Sequence, residues 1–269
     1  MRVGHCLGGG RGRSLMVALL VVAAPVAFGA TALFPRPLHL VRQVDDPISK
    51  TTATIDEYCA GNRVVTIRGS KVIIADYDAQ QLTEVDHAAQ TWSVTAFADI
   101  AKSRGDLDAR IGLHAARPNV HVTALGRASN GADAYEISEQ HRRLQVAFNR
   151  NVTLSRAAAE VLIGVAWPNG KGGDAEDILA AAANGNVSAM SAGASSSDSY
   201  GLLVERTLTI EEGGSTLVSH NVVTHIGEEI APAEALIIEP GAKRVESRLT
   251  RLARELREID TIPSATPQR

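Results

Sequence analysis

His220 and His225 are the residues best placed by type to share a metal ion, since both lie in one strand-like run, Leu217–Ile226. Five residues apart on an extended chain, they point to opposite faces. A shared ion would need a bulge between them and a third ligand nearby, so both read as structural histidines. Asp76 and Asp78 flank Tyr77, and Glu84 and Asp86 flank Val85. Either pair has the spacing to share a strand face, where carboxylates of unequal pKa act as acid and base. The same positions are turn and edge positions, which favour solvated acids for ordinary reasons. A hydrolase using Asp76, Glu84 or His220 is therefore the weakest of three readings. No Gly-x-Ser-x-Gly elbow is present, and Ser49-Lys50 and Ser70-Lys71 fall in turn-like sequence. Cys59 has no cysteine or histidine at ligand spacing, and the GHCLGGGRGRS cluster lacks the ending and the preceding strand of a phosphate loop. The expectation is a non-enzymatic protein without a cofactor, a catalytic residue or a metal.

Composition narrows the partners. Across 269 residues the net charge is −3 and the pI near 6.2, so no broad basic field is available for nucleic acid. Cys6 and Cys59 lie on opposite sides of an apolar segment and are expected not to pair. That segment, Leu15–Phe34, carries no charge and follows Arg2, Arg11 and Arg13. It is long enough to span a bilayer as a helix. It also has a signal-peptide layout, with small residues at Ala30-Thr31-Ala32 where a peptidase could cut. Cleavage and retention as an anchor both stay open. Either way the remainder is expected outside the cytoplasm, periplasmic or facing the periplasm, with the basic leader inside.

The elements that must position any site follow. Residues 1–34 form the signal or anchor, and Pro35–Lys50, with three prolines and mixed charge, is expected as a linker. From Thr51 the apolar period becomes two. Arg63–Arg68, Val72–Tyr77, Gln81–Asp86 and Thr91–Thr95 are short runs separated by turn sequences, with Trp92 and Val94 on a dry face and Thr91, Ser93 and Thr95 on a wet one. Ala98–Arg117 is more helical. Asn119–Leu125, Ala134–Ser138 and Leu144–Phe148 resume strand character. Thr153–Ala166 has helical spacing, a second helix is expected over Asp174–Asn184, and Asn186–Ser199 is low in complexity. Leu202–Ile210 and Leu217–Ile226 make a hairpin. A last strand is expected over Ala235–Ile238, then a helix from Ala242 with Val245, Leu249, Leu252, Leu256 and Ile259 on one seam. Residues 261–269 are expected as a disordered tail.

Three stretches resemble a known family. KVIIADYDAQQLTEVDHAAQTWSV is similar to a strand pair of the LolA/LolB superfamily of bacterial lipoprotein carriers. RASNGADAYEISEQHRRLQVAFNRNVTLS and GLLVERTLTIEEGGSTLVSHNVVTHIGEEIAPAEALIIEPGAKRV resemble the middle and the ending of an uncharacterised outer-membrane-lipoprotein-sorting-like branch. The resemblance runs from about Thr51 to Val245. It implies an α+β domain over residues 51–260, a curved antiparallel sheet forming a half-open barrel with helices on its concave side. It also implies an inner groove for lipid or lipoprotein acyl chains. With the meander it places Trp92, Val94, Leu144, Val146, Phe148, Leu202, Val204 and Leu208 along or beneath that groove. The alternative is a membrane-tethered envelope interaction or sensor module without a small ligand.

Overall fold

The computed structural model describes residues 32–47, 49–110, 121–139, 142–166, 200–248 and 250–251. They form one 12-stranded sheet in the order β12-β6-β5-β4-β3-β2-β1-β11-β10-β9-β8-β7. The strands are β1 (Phe34–Asp46), β2 (Thr51–Gly61), β3 (Arg63–Arg68), β4 (Lys71–Asp76), β5 (Gln81–Asp86), β6 (Thr91–Ala96), β7 (His121–Arg127), β8 (Asp133–Glu139), β9 (Arg142–Leu154), β10 (Tyr200–Glu212), β11 (Ser215–Gly227) and β12 (Lys243–Arg244). All ladders are antiparallel except the two-residue pairing of β12 with β6. β7 and β12 occupy opposite ends of the order, so the sheet is open. Register shifts interrupt the β1–β11, β1–β2, β9–β10 and β7–β8 ladders, and such bulges bend and twist a sheet. Two helices accompany it among the described residues, α1 (Phe97–Arg110) and α2 (Arg156–Ala166).

The strand spans expected for the meander and the long hairpin are present. The meander turns reuse one device. The Asp76 carboxylate accepts the backbone N–H of Asp78 and Ala79, and that of Asp86 accepts the N–H of Ala89. Gln80 and Gln90 then close their turns with φ of 53° and 50°. The hairpin closes on Gly213-Gly214, both with positive φ, as a two-residue hairpin turn requires.

Pro35–Lys50 is not a linker. Its greater part is β1, bonded to β2 on one side and β11 on the other, near the middle of the sheet. Prolines mark solvent-facing or irregular positions, and Pro35 and Pro37 fall where the β1–β2 register slips, between Phe34 and Leu38. Phe34 is itself in the core, and the Leu33 N–H donates to the Asn62 side chain at 2.8 Å. The folded domain thus begins inside the segment assigned to the signal or anchor. Ala235–Ile238 is not a strand. Ala233–Leu236 is a 3-10 turn begun by Pro232, and the last strand is β12. Helical structure resumes at Arg248 rather than Ala242, with the Ser247 hydroxyl accepting the Thr250 N–H at 3.1 Å. Ser93 and Thr95, expected wet, are buried, whereas Trp92 and Val94, expected dry, are half-buried, so the more buried face of β6 is the one that carries the hydroxyls. The apolar segment before residue 32, the Asp174–Asn184 helix, the Asn186–Ser199 loop, the rest of the C-terminal seam and the tail lie outside the described residues. Among the described residues no helix is long and apolar enough to cross a membrane.

Candidate functional site

After β11 the chain runs as a strap, residues 228–245, across one face of the meander. Ala231, Ala235 and Leu236 pack on Val65, Val72 and Val85. At its far end the Lys243 N–H donates to the Gln90 carbonyl at 2.9 Å and the Val245 N–H to the Trp92 carbonyl at 2.8 Å. The Arg244 guanidinium lies 5.2 Å from the Trp92 ring centre. Glu239 on the strap meets His87, in the turn after β5, at 2.6 Å. The shared hydrogen bond raises the His87 pKa and lowers that of Glu239.

Beneath the strap is a cavity of about 420 Å³. Tyr58, Ala60, Val65, Ile230, Ala231 and Leu236 form its apolar lining, with Asn62, Arg63, Asp76 and Asp78 on the polar side. Those polar groups satisfy one another. Arg63 meets Asp76 at 2.6 Å, and the Asn62 amide donates to Asp78 at 2.7 Å. The Asp76 carboxyl is held low, first by the Ala79 N–H and then by Arg63. Burial, with Asp56 and Glu229 nearby, pushes the Tyr58 hydroxyl up.

Tyr58 connects the cavity to a second group of side chains. Its ring stacks on that of His39, centroids 4.1 Å apart. His39 Nε2 lies 3.2 Å from Asp56 Oδ1, and its Nδ1 lies 3.2 Å from Glu229 Oε2. His225 Nε2 lies 3.8 Å from Glu229 Oε1. Register explains the meeting. His39 pairs with Gly227 and Val41 with His225, so the two histidines are diagonal neighbours on adjacent strands. Glu229 folds back over Gly227. A Cβ on Gly227 would collide with the Glu229 carboxylate and come within 2.9 Å of His225 Nε2. The carboxyl of Glu229 is held low by its own backbone N–H and then by His39 and His225.

The opposite face of β1 and β2 is sealed. Leu40 pairs with Glu57, which puts Arg42 diagonally across from the same carboxylate. Arg42 Nε donates to Glu57 Oε2 at 2.9 Å with side chains 5% and 1% exposed. Arg42 also reaches the Leu203 carbonyl at 3.5 Å. Arg206 lies near, its pKa lowered to about 10 by burial and then by Arg42 and Arg142.

The residues expected to line one groove fall in three places. Leu144, Val146 and Phe148 pack with Tyr135, Ile137 and with Ala159 and Ile163 of α2, and Leu208 packs against that group from its edge. Leu202 and Val204 belong to a second cluster with Leu40, Cys59, Val64 and with Ala158 and Leu162 of α2. Trp92 joins the cluster under the strap, and Val94 is half-buried opposite Thr83. Among these clusters the partners are the chain's own side chains.

The polar candidates also separate. A bulge does fall between His220 and His225, since the register passes over Thr224. His220 nevertheless faces Glu205 at 3.3 Å and Asp45 at 3.8 Å, while His225 turns to Glu229. Glu84 accepts the Ser93 hydroxyl at 3.2 Å, and Asp76 and Asp86 cap turns. Cys59 is a buried free thiol, its pKa pushed up by burial and then by Glu57. Sequence reasoning missed His39, Asp56 and Glu229, because His39 and Glu229 are 190 residues apart. The available signal was a histidine inside the alternating run Leu38-His39-Leu40.

No family model and no curated protein matches the chain. An uncharacterised conserved protein from Thermus thermophilus superposes at 9% identity, covering 80% of this chain and 92% of that one with a TM-score of 0.39. PNGF-II superposes at 5% and 7% identity in two crystal forms, with TM-scores of 0.35 and 0.36. There the match spans 81% of this chain and about a third of the other, 32% and 33%. Likenesses at this level place the chain in no family.

Proposed function

We propose that the chain is an exported, non-enzymatic binding module that takes a lipid or the acyl part of a lipoprotein into the cavity under the strap. The cavity carries the reading. Its 420 Å³ lies within the range of about 300–1,000 Å³ typical of small-molecule sites. Its lining is mainly apolar, and its polar groups are already paired, so it offers burial rather than a free charge. Burial of each methylene contributes about 0.8 kcal/mol before the cost of association. An acyl segment fits that chemistry and requires no catalytic group. The location rests on the uncharged run that precedes Leu33.

The test is native mass spectrometry of the full chain, extracted from envelopes in mild detergent. A co-purifying mass that fragments as a lipid or acylated peptide is the expected result. A fluorescent fatty acid should bind the wild type and be lost in Ala231→Trp, which fills the cavity. Absence of both signals would overturn the reading. The tethered interaction module is the second reading, favoured by Ile230, Ile237, Ile238 and Val245, which leave apolar surface exposed along the strap.

A further inference from the structure

We propose that His39, His225 and Glu229 form a binding site for a divalent transition metal of the zinc class, and that Asp56 positions His39 for it. The donor atoms of the three side chains all lie within 4.8 Å of one another. Tetrahedral zinc with bonds of about 2.0–2.2 Å separates its ligand atoms by roughly 3.3–3.6 Å. His39 Nδ1 lies 3.2 Å from one oxygen of Glu229 and His225 Nε2 lies 3.8 Å from the other, so a small adjustment of the carboxylate brings one donor atom from each side chain to that spacing. Two imidazoles and one carboxylate suit zinc, copper or nickel rather than calcium or magnesium, which take oxygen donors.

The surroundings are those of a metal-bound histidine. His39 directs Nδ1 into the cluster and Nε2 to Asp56, 3.2 Å away. A ligating histidine ordinarily donates its second N–H to a carboxylate in this way, which fixes its tautomer and ring orientation. Both ring nitrogens of His39 face carboxylate oxygens, Nδ1 that of Glu229 and Nε2 that of Asp56. His39 itself is 9% exposed, and the stacked Tyr58 ring holds its plane. The histidines stand on hydrogen-bonded strands, and Gly227 supplies the space for Glu229 to close over them. Three protein ligands leave a tetrahedral ion one position for water or an exogenous group. The inference stands apart from the acyl-ligand reading, since His39, His225, Glu229 and Asp56 do not line the cavity and Tyr58 alone touches both.

The experiment is calorimetric titration of Zn²⁺ into the full chain in mild detergent, purified without a polyhistidine tag and stripped by chelator. One ion per chain is expected. His225→Ala and Glu229→Gln change exposed residues and should each weaken binding by at least tenfold while circular dichroism stays unchanged. His220→Ala, outside the cluster, should leave affinity as it was. Asp56→Asn should weaken Zn²⁺ by about 10–100-fold. It should also keep the absorption spectrum of the Co²⁺ form, and Asp56→Glu should recover part of the loss. Failure to bind Zn²⁺ would overturn the site. So would equal affinity in wild type, His225→Ala and Glu229→Gln. An altered Co²⁺ spectrum in Asp56→Asn would make Asp56 a ligand and overturn its positioning role.

Discussion

Asp56 and Glu57 are consecutive residues of β2, and strand alternation sends them to opposite faces. Glu57 meets Arg42 in a pair closed to solvent, 1% and 5% exposed. Asp56 meets His39 with its own side chain 38% exposed. The two acids use the same pair of strands and differ in what lies above them. Over Glu57 are the strands and side chains of the domain's interior. Beside Asp56, among the described residues, Glu229 at the start of the strap and His225 at the end of β11 stay accessible. The sealed pair can serve the fold, because no ion or ligand reaches it. The open cluster keeps its donors within reach of solvent, where an exchangeable ion can enter.

Removing one partner of the sealed pair should have the largest effect. Glu57→Ala leaves Arg42 charged and buried, and should cost about 3–5 kcal/mol in urea unfolding. Asp56→Ala should cost less than about 1 kcal/mol, as exposed pairs do. If the two losses were equal, the contrast between the faces would be false. The double change Arg42→Met with Glu57→Leu should recover much of the deficit, since apolar residues fill such a site without desolvating a charge.

Phe148→Ala should cost about 3–5 kcal/mol, because Phe148 is 0% exposed and its ring fills a packed cluster. Fatty-acid probe binding per folded molecule should not change. A loss of probe binding without loss of stability would return Phe148 to the ligand's path.

The pH response belongs to the open face. His87 is raised above its ordinary value of 6.5, so its contribution is full below 6.5 and fades as pH rises through the raised value. Glu239 is lowered from 4.5, so its contribution is present above 4.5 and fades as pH falls through the lowered value. The clasp between strap and sheet should therefore be tightest between about 4.5 and 6.5. Hydrogen exchange, corrected for intrinsic pH dependence, should show the strap loosening from pH 6 to pH 8. Glu239→Gln should remove that trend while leaving β1–β2 protection alone.

The smallest expected effect is chemical. Cys59, 1% exposed with a raised pKa, should resist iodoacetamide at pH 8 in the folded chain and react fully in urea. Reaction in the folded chain would show that the sealed face opens.

Legibility in the sequence followed the range of the forces involved. The meander from Arg63 to Ala96 and the hairpin on Gly213-Gly214 were readable, because alternation and turn chemistry act between near neighbours. Pro35–Lys50 was misread because its prolines outweighed Leu38-His39-Leu40-Val41, and only pairing with β11 turns that run into a central strand. Ala235–Ile238 was misread for the converse reason. An apolar run beside Pro232 looks like a strand but lies across a sheet face, where no ladder partner exists. The apolar candidates were recognised as inward-facing, but inward does not distinguish a packed core from a lined cavity.

The sequence by itself determined the local units of this protein: short alternating strands and the turns that join them. Tertiary structure decided which faces close and which stay open. Asp56 and Glu57 carry the same charge and neighbour each other, so composition cannot separate their roles. Pairing of β1 with β11 brings His225 and Glu229 to His39 although His39 and Glu229 are 190 residues apart. The reason is physical. Alternation needs only the next residue, whereas burial and metal-like geometry need partners that only a folded sheet brings together.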